Sequence, residues 1–239
     1  NKIIKKNCNR LIRLINNFID STKLENNKVE IHKKRVNIVS ITEDITMSVI
    51  NFAKRQKIDV VFDAEQEELY CDIDIDQMER IMLNILSNAI KYNKPNGNID
   101  VIVKDRKEKV YIDVIDSGIG IPKDRINTIF DRFERMENKN AVIKEGSGIG
   151  LSIVKKLVDA LDGEINIESE VDKGTTVRLI FKKSKNQDGI EMNSYFVKHP
   201  EMILGRMEMT SGRFGPESTC SPIYSETLET QLDNAIESI

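Results

Sequence analysis

The chain has 239 residues, 39% of them apolar and 31% charged, with both signs mixed to a net charge of −3. That is enough apolar material for one or two domains with a real core, and the balance gives no general case for nucleic-acid binding. No apolar run is as long as a membrane span and no signal peptide is visible, while three well-separated cysteines (Cys8, Cys71 and Cys220) have no metal-ligand spacing and read as reduced cytosolic thiols.

Taken in chain order, residues 2–26 predict a helix. Ile4, Cys8, Leu11, Ile15 and Phe18 recur at spacings of four and three, a heptad-like seam that wants a partner helix or a second subunit. Residues 1–57 hold 13 Lys/Arg against 5 Asp/Glu, a net of +8, read as a solvated basic face. Residues 29–39 read as an extended connector. Ser40 and Glu43 have capping-box spacing, so a helix is expected from Ser40 to about Gln56. Ile58–Phe62 and Leu69–Cys71 read as strands. Asp74 and Gln77 open a helix to about Tyr92, with Met82, Ile85, Leu86, Ala89 and Ile90 on its apolar face. Pro95, Asn96 and Gly97 end it.

Ile99–Val103 and Val110–Ile115 alternate as a hairpin around Asp105–Lys109. A long loop follows, with a short helix expected near Arg125–Phe130. Ile149–Leu161 reads as a helix stopped by Gly163 as its C′ residue, and Glu164–Glu168 and Thr175–Phe181 as a last hairpin. The fold class is α+β, a two-layer sandwich with helices on one face of a mixed sheet. After Lys183 the composition shifts. Residues 184–239 hold three of the five prolines and four of the eight methionines, and residues 185–239 carry a net of −5 (4 Lys/Arg against 9 Asp/Glu). The expected division is 1–27 as a helix, 28–183 as one domain and 184–239 as a poorly ordered appendage. The start at Asn1 suggests a fragment.

The chemistry concentrates in four places. Asp116 closes an apolar strand and precedes Ser117-Gly118-Ile119-Gly120. A carboxylate there can accept a hydrogen bond from an amino group of a ligand base, and the glycines let backbone approach closely. Asn84 and Asn88 share one helical face, with Lys91 and Tyr92 one turn on. Amide oxygens suit a hard cation and an ammonium suits phosphate, whereas a merely solvated face would favour Lys or Glu over Asn. Gly146-Ser147-Gly148-Ile149-Gly150 leads straight into a helix, an anion-binding arrangement that matches neither the P-loop nor the dinucleotide fingerprint. Between the glycine sets the polar stretch Lys123–Glu145, anchored by Phe130 and Phe133, reads as a lid from which Arg132 and Arg135 can reach phosphate.

Together these segments resemble the catalytic ATP-binding domain of sensor histidine kinases, in the wider family of gyrase, Hsp90 and MutL. Residues 82–92 resemble the N box, 116–120 and 146–151 the two glycine boxes, and 129–135 the F box, which favours histidine kinases over gyrase-type members. Gly174-Thr175-Thr176 resembles the last conserved turn. The resemblance implies ATP and Mg²⁺. Asn88 would ligate the metal; Asn84 would lie by the phosphates and support transfer. Lys91 and Arg135 would contact phosphate oxygens, and Asp116 would bind the adenine amino group. Gly118, Gly120, Ile121, Tyr92, Phe133 and Thr176 would line the pocket. Gly146, Ser147, Gly148, Gly150 and Leu151 would close over the phosphates.

Residues 9–20 resemble the second helix of the dimerisation and phosphotransfer hairpin, which implies a homodimer. The resemblance also implies a response-regulator receiver domain as partner, a cytoplasmic catalytic region, no nucleic acid, and a membrane reached only through upstream segments. The phospho-accepting histidine is not matched: His32 is followed by Lys33, and His199 by Pro200. A non-catalytic ATP-binding scaffold and a serine kinase of the anti-sigma type are the alternatives. The residues 195–205 faintly resemble mobile-element methylase and helicase polypeptides.

Overall fold

The computed structural model describes residues 30–131 and 150–185. The predicted helix over 2–26, Arg132, Phe133, Arg135, Gly146, Ser147 and Gly148, and the stretch after 185 lie outside them.

Within this span three helices cover one face of a mixed sheet. The elements are β1 (Lys34–Asn37), α1 (Ile38–Arg55), β2 (Asp59–Ala64), β3 (Tyr70–Ile73), α2 (Ile75–Lys91), β4 (Asn98–Arg106), β5 (Lys109–Asp116), α3 (Gly150–Ala160), β6 (Glu164–Glu170) and β7 (Gly174–Lys182). The main sheet runs β2-β4-β5-β7-β6. Only the β2–β4 pair is parallel. The expected α+β architecture is present.

Side-chain alternation builds the core. On β4, Ile99, Val101 and Val103 are buried, and on β5 so are Val110, Ile112 and Val114, each set at a spacing of two. The register sets Val101 against Val114 and Val114 against Val177, and Val103 against Ile112 and Ile112 against Leu179. Onto this face α1 lays Ile38, Ile41, Ile45, Val49 and Phe52; α2 lays Met78, Ile81, Met82, Ile85 and Leu86; α3 lays Ile153, Val154 and Leu157. These spacings of three and four make one apolar stripe per helix.

Four local expectations change. The connector over 29–39 contains a strand, because Lys34–Asn37 pairs antiparallel with Tyr70–Ile73, a partner no local pattern reveals. Ser40 is not a cap. The helix begins at Ile38, and the Asn37 carboxamide oxygen accepts from the N–H groups of Val39 (3.1 Å) and Leu69 (3.2 Å). Residues 123–130 form successive turns instead of a helix: Arg125 and Thr128 N–H each reach back three residues, to Pro122 and Arg125. After α3 the left-handed residue is Asp162 (φ +58°), not Gly163. Gly163 is required sterically, since a Cβ there would lie 2.6 Å from the Phe181 ring.

Candidate functional site

Asp74 opens α2 as predicted, its carboxylate accepting from Gln77 N–H at 3.2 Å. Seventeen residues on, the helix ends at Lys91. Asn84, Asn88 and Tyr92 fall on its one half-exposed face, opposite the core stripe. The Asn84 amide N–H donates to the Arg80 carbonyl at 2.8 Å, which fixes the side chain along the helix. Gly150, the first residue of α3, comes to this face: a Cβ on it would lie 3.0 Å from Asn84 Oδ1. The N-terminus of α3 therefore abuts the Asn84 carboxamide. Asn88 makes no side-chain hydrogen bond among the described residues, so its half-exposed carboxamide is available to a ligand. Leu151 is half-buried in the first turn of α3.

Lys91 departs from the simple picture of a free ammonium. It is 8% exposed, its Nζ donates to the Tyr92 hydroxyl at 2.9 Å, and it lies 4.6 Å from the centre of that ring.

Asp116 owes its position to β5. It continues the inward row Val110, Ile112, Val114, so its carboxylate enters the layer between sheet and helices. There Oδ1 accepts from Gly118 N–H at 2.8 Å. Burial pushes the carboxyl up to about 6, although hydrogen bonds from the backbone of Gly118 and Thr175 work against the rise.

The loop after Asp116 is wedged between two other segments. On one side Ile119 N–H donates to the Tyr92 carbonyl at 3.1 Å. A Cβ on Gly118 would lie 2.5 Å from that carbonyl oxygen. On the other, Asp172 N–H donates to the Ile119 carbonyl at 2.8 Å and Ile121 N–H to the Ser169 hydroxyl at 2.8 Å. Lys94 Nζ crosses to the Asp172 carbonyl. Gly120 (φ +67°) and Gly174 (φ +115°) are the positions where only glycine serves: a Cβ would lie 2.0 Å from the Glu170 carbonyl oxygen and 1.8 Å from that of Asp116.

The end of α2, the loop 116–121 and the β6–β7 turn thus meet at one end of the sheet, with the start of α3 about two turns back along α2, at Asn84. Thr176 is an exception. It pairs with Ile115, so the period of two places its side chain on the face turned away from Asp116; Thr175, paired with Asp116, shares its face. Sequence reading also passed over Asn93, Ser117 and Ser169, whose side chains hold these segments together. A polar run Asn93-Lys94-Pro95-Asn96-Gly97-Asn98 directly after a helix was the available signal. Among the described residues no three His, Cys, Asp or Glu cluster as a metal cage, and no helix is long and apolar enough to cross a membrane.

Residues 73–185 match the family described as histidine kinase-, DNA gyrase B-, and HSP90-like ATPase. The chain is 30% identical over 188 residues to sensor histidine kinase WalK of Bacillus subtilis (strain 168), covering 78% of this chain and 31% of that protein. It is 34% identical over 175 residues to signal transduction histidine-protein kinase ArlS of Staphylococcus aureus (strain USA300), covering 72% and 38%. It thus spans about a third of the length of these relatives. Its fold is similar to that of histidine kinase ThkA, solved in complex with response regulator protein TrrA: the TM-score is 0.60 at 22% identity, over 76% of this chain and 50% of that one. Through residues 73–185 the chain belongs to the histidine kinase-, DNA gyrase B-, and HSP90-like ATPase family, and the domain they form is a catalytic ATP-binding domain of the histidine kinase type.

Proposed function

We propose that this region is the catalytic part of a sensor histidine kinase and that it transfers the γ-phosphoryl group of ATP to a histidine, from which an aspartate of a response-regulator receiver domain takes it. The observation that carries the reading is the convergence of the Asn84/Asn88/Tyr92 face, the Asp116–Ile121 loop and the start of α3 at Gly150. A base amino group donating to Asp116, with Gly118 and Gly120 giving the loop its shape and Ile121 beside it, would set the phosphates toward Asn84, Asn88 and Gly150.

The donor set fits the group. A divalent ion such as Mg²⁺ bound here would be held by a carboxamide oxygen of Asn88 together with phosphate oxygens, hard ligands suited to it. The first N–H groups of α3 face the same space and favour negative charge. Lys91 would exchange the Tyr92 hydroxyl for a phosphate oxygen, and Leu151 would flank the phosphates. ATP supplies the activated phosphoryl group; the chain's contribution is positioning and charge neutralisation. Phe133, Arg135, Gly146, Ser147 and Gly148 are assigned to the same site by the motif alone, and Thr176 through its backbone rather than its side chain.

The partners follow from that chemistry: a receiver domain, and a second copy pairing through residues 1–27. ATP and receiver domains are cytoplasmic, which places this region there, with any membrane anchor in other segments. Incubating the chain with Mg-ATP and a separately supplied histidine-bearing hairpin of a related kinase should give acid-labile, base-stable phosphohistidine. ATP binding with no transfer to any hairpin would favour the non-catalytic scaffold instead.

A further inference from the structure

We infer that Asn93 is a positioning residue for base recognition, acting through Ser117 to hold the Asp116 carboxylate in register with the Asn84/Asn88 face of α2. This rests on the nucleotide reading of the site.

Asn93 lies one residue beyond the cap of α2 and is 7% exposed. Its amide N–H donates to the Asn98 carbonyl at 3.1 Å. Its Oδ1 accepts from Lys94 N–H at 2.9 Å and from the Ser117 hydroxyl at 3.2 Å. The Ser117 oxygen in turn accepts from Asn98 N–H at 2.9 Å, and Ser117 N–H donates to the Asn98 carbonyl at 3.2 Å. Asn93, Ser117 and Asn98 thus close a triangle of hydrogen bonds, in which the Asn93 carboxamide oxygen accepts two bonds and its amide N–H donates one.

The triangle has a steric condition. A Cβ on Gly97 would lie 2.2 Å from Asn93 Oδ1 and 2.7 Å from Ser117 Oγ. The glycine makes the room that the two polar groups occupy, so the turn Pro95-Asn96-Gly97 does more than end a helix.

The consequence runs through Ser117 to its two neighbours. Asp116 precedes it, and Gly118, which follows, fixes Asp116 Oδ1 through its N–H. Moving Ser117 moves both ends of that bond. Asn93 is joined to α2 through Tyr92, whose carbonyl also takes the Ile119 N–H. The side chain of Asn93 is therefore a direct tie between the segment offering a carboxylate to a base and the helix offering carboxamides to phosphate. Buried polar networks of this kind specify one arrangement because a half-satisfied version is costly.

A residue that only supported the fold would weaken every nucleotide equally. A residue that aims Asp116 would weaken only nucleotides with an exocyclic amino group at the purine 6-position. ADP has that group; IDP carries a carbonyl there and offers the carboxylate no donor at the 6-position. Titration calorimetry of the whole chain with each nucleotide separates the cases. Wild type should prefer ADP, and Asn93→Ala should cut that preference by about three- to tenfold, through ADP alone. Ser117→Ala, a milder change, should do the same, and the double variant should lose little more than either single one because both break one link. Equal loss of ADP and IDP affinity, or full additivity of the two changes, would overturn the inference. Asp116→Asn serves as the reference. If it collapses the ADP preference while Asn93→Ala and Ser117→Ala leave it intact, the inference fails and the nucleotide reading stands. If Asp116→Asn itself leaves the preference intact, the base-recognition reading fails and takes the inference with it.

Discussion

Asp113 and Asp116 sit three residues apart on β5, and their surroundings drive them in opposite directions. An odd separation on a strand puts side chains on opposite faces. Asp113 turns to the face away from the helices, where its side chain is 1% exposed. Burial alone would raise its carboxyl, but hydrogen bonds from Arg178 and Lys104, and their charges, outweigh burial and bring it below the usual carboxylate range. The Arg178 guanidinium grips it through two bonds of 2.7 and 2.9 Å, and Lys104 Nζ adds a third at 2.8 Å. Asp116 turns inward and has backbone N–H groups instead of a cation, so burial wins and its carboxyl rises to about 6. One aspartate is satisfied by its own chain. The other is held ionisable and short of partners, as a group reserved for a ligand would be.

The largest expected effect comes from breaking the satisfied one. Asp113→Ala leaves Arg178 and Lys104 against each other with no anion between them. Removing one member of a buried pair costs about 3–5 kcal/mol, and the lower end applies because both cations keep part of their side chains in water. Urea denaturation should show that loss, while ADP affinity measured well below the unfolding midpoint stays at the wild-type value. A fall in affinity matching that of an Asp116 variant would erase the division of labour between the two faces.

That division was only half legible in the sequence. The alternation Val110, Ile112, Val114 already puts Asp116 on the inward face, so its candidacy follows from period and from the glycines after it. The partners of Asp113 were hidden. Arg178 lies 65 residues away and meets it only because β7 pairs with β5 in this register. The same reason hid Thr175, which register places beside Asp116 where motif reading favoured Thr176. Asn37 was missed as a helix cap because its second client, the Leu69 N–H, lies 32 residues on. Local rules found α2 and its Asp74 cap, because cap, stripe and stop are all written within that one segment. Contacts across the sheet order are not written in any one segment.

The second effect in size belongs to Asp116. Replacing it with Asn keeps the shape but offers a donor where, on the proposed reading, the base amino group would also donate. Loss of a hydrogen bond to a charged group costs about 1.5–3 kcal/mol, or roughly 10–150-fold in ADP affinity. Stability should move the other way. Above pH 6 the wild-type carboxylate is an ion held in a desolvated place, so the Asn variant should be at least as stable at pH 7.5 by the same urea assay. A variant that lost stability and affinity together would make Asp116 a structural group like Asp113.

The smallest effect is a pH dependence, and here the two aspartates carry opposite signs. Asp113 is lowered in the folded state. Its contribution is present above the unfolded value, about 3.9, and is lost as pH falls through its lower native value. Asp116 is raised. The folded state takes up its proton first, so between about pH 6 and 4 this group favours folding increasingly as pH falls. The stability of wild type relative to Asp116→Asn should therefore rise across that window, with no such trend above it. On the proposed reading binding runs against stability, because protonation removes the charge that the base amino group would meet. From pH 7.5 to 5 the affinity of wild type for ADP should fall by up to about tenfold relative to Asp116→Asn. Titration of the nucleotide's own phosphate is common to both proteins and cancels in that ratio. A flat ratio would mean that Asp116 is not the group the base reads, whatever its burial. A ratio that falls while the relative stability rises would tie both to one proton on one carboxylate, at the inner end of the row that Val110 begins.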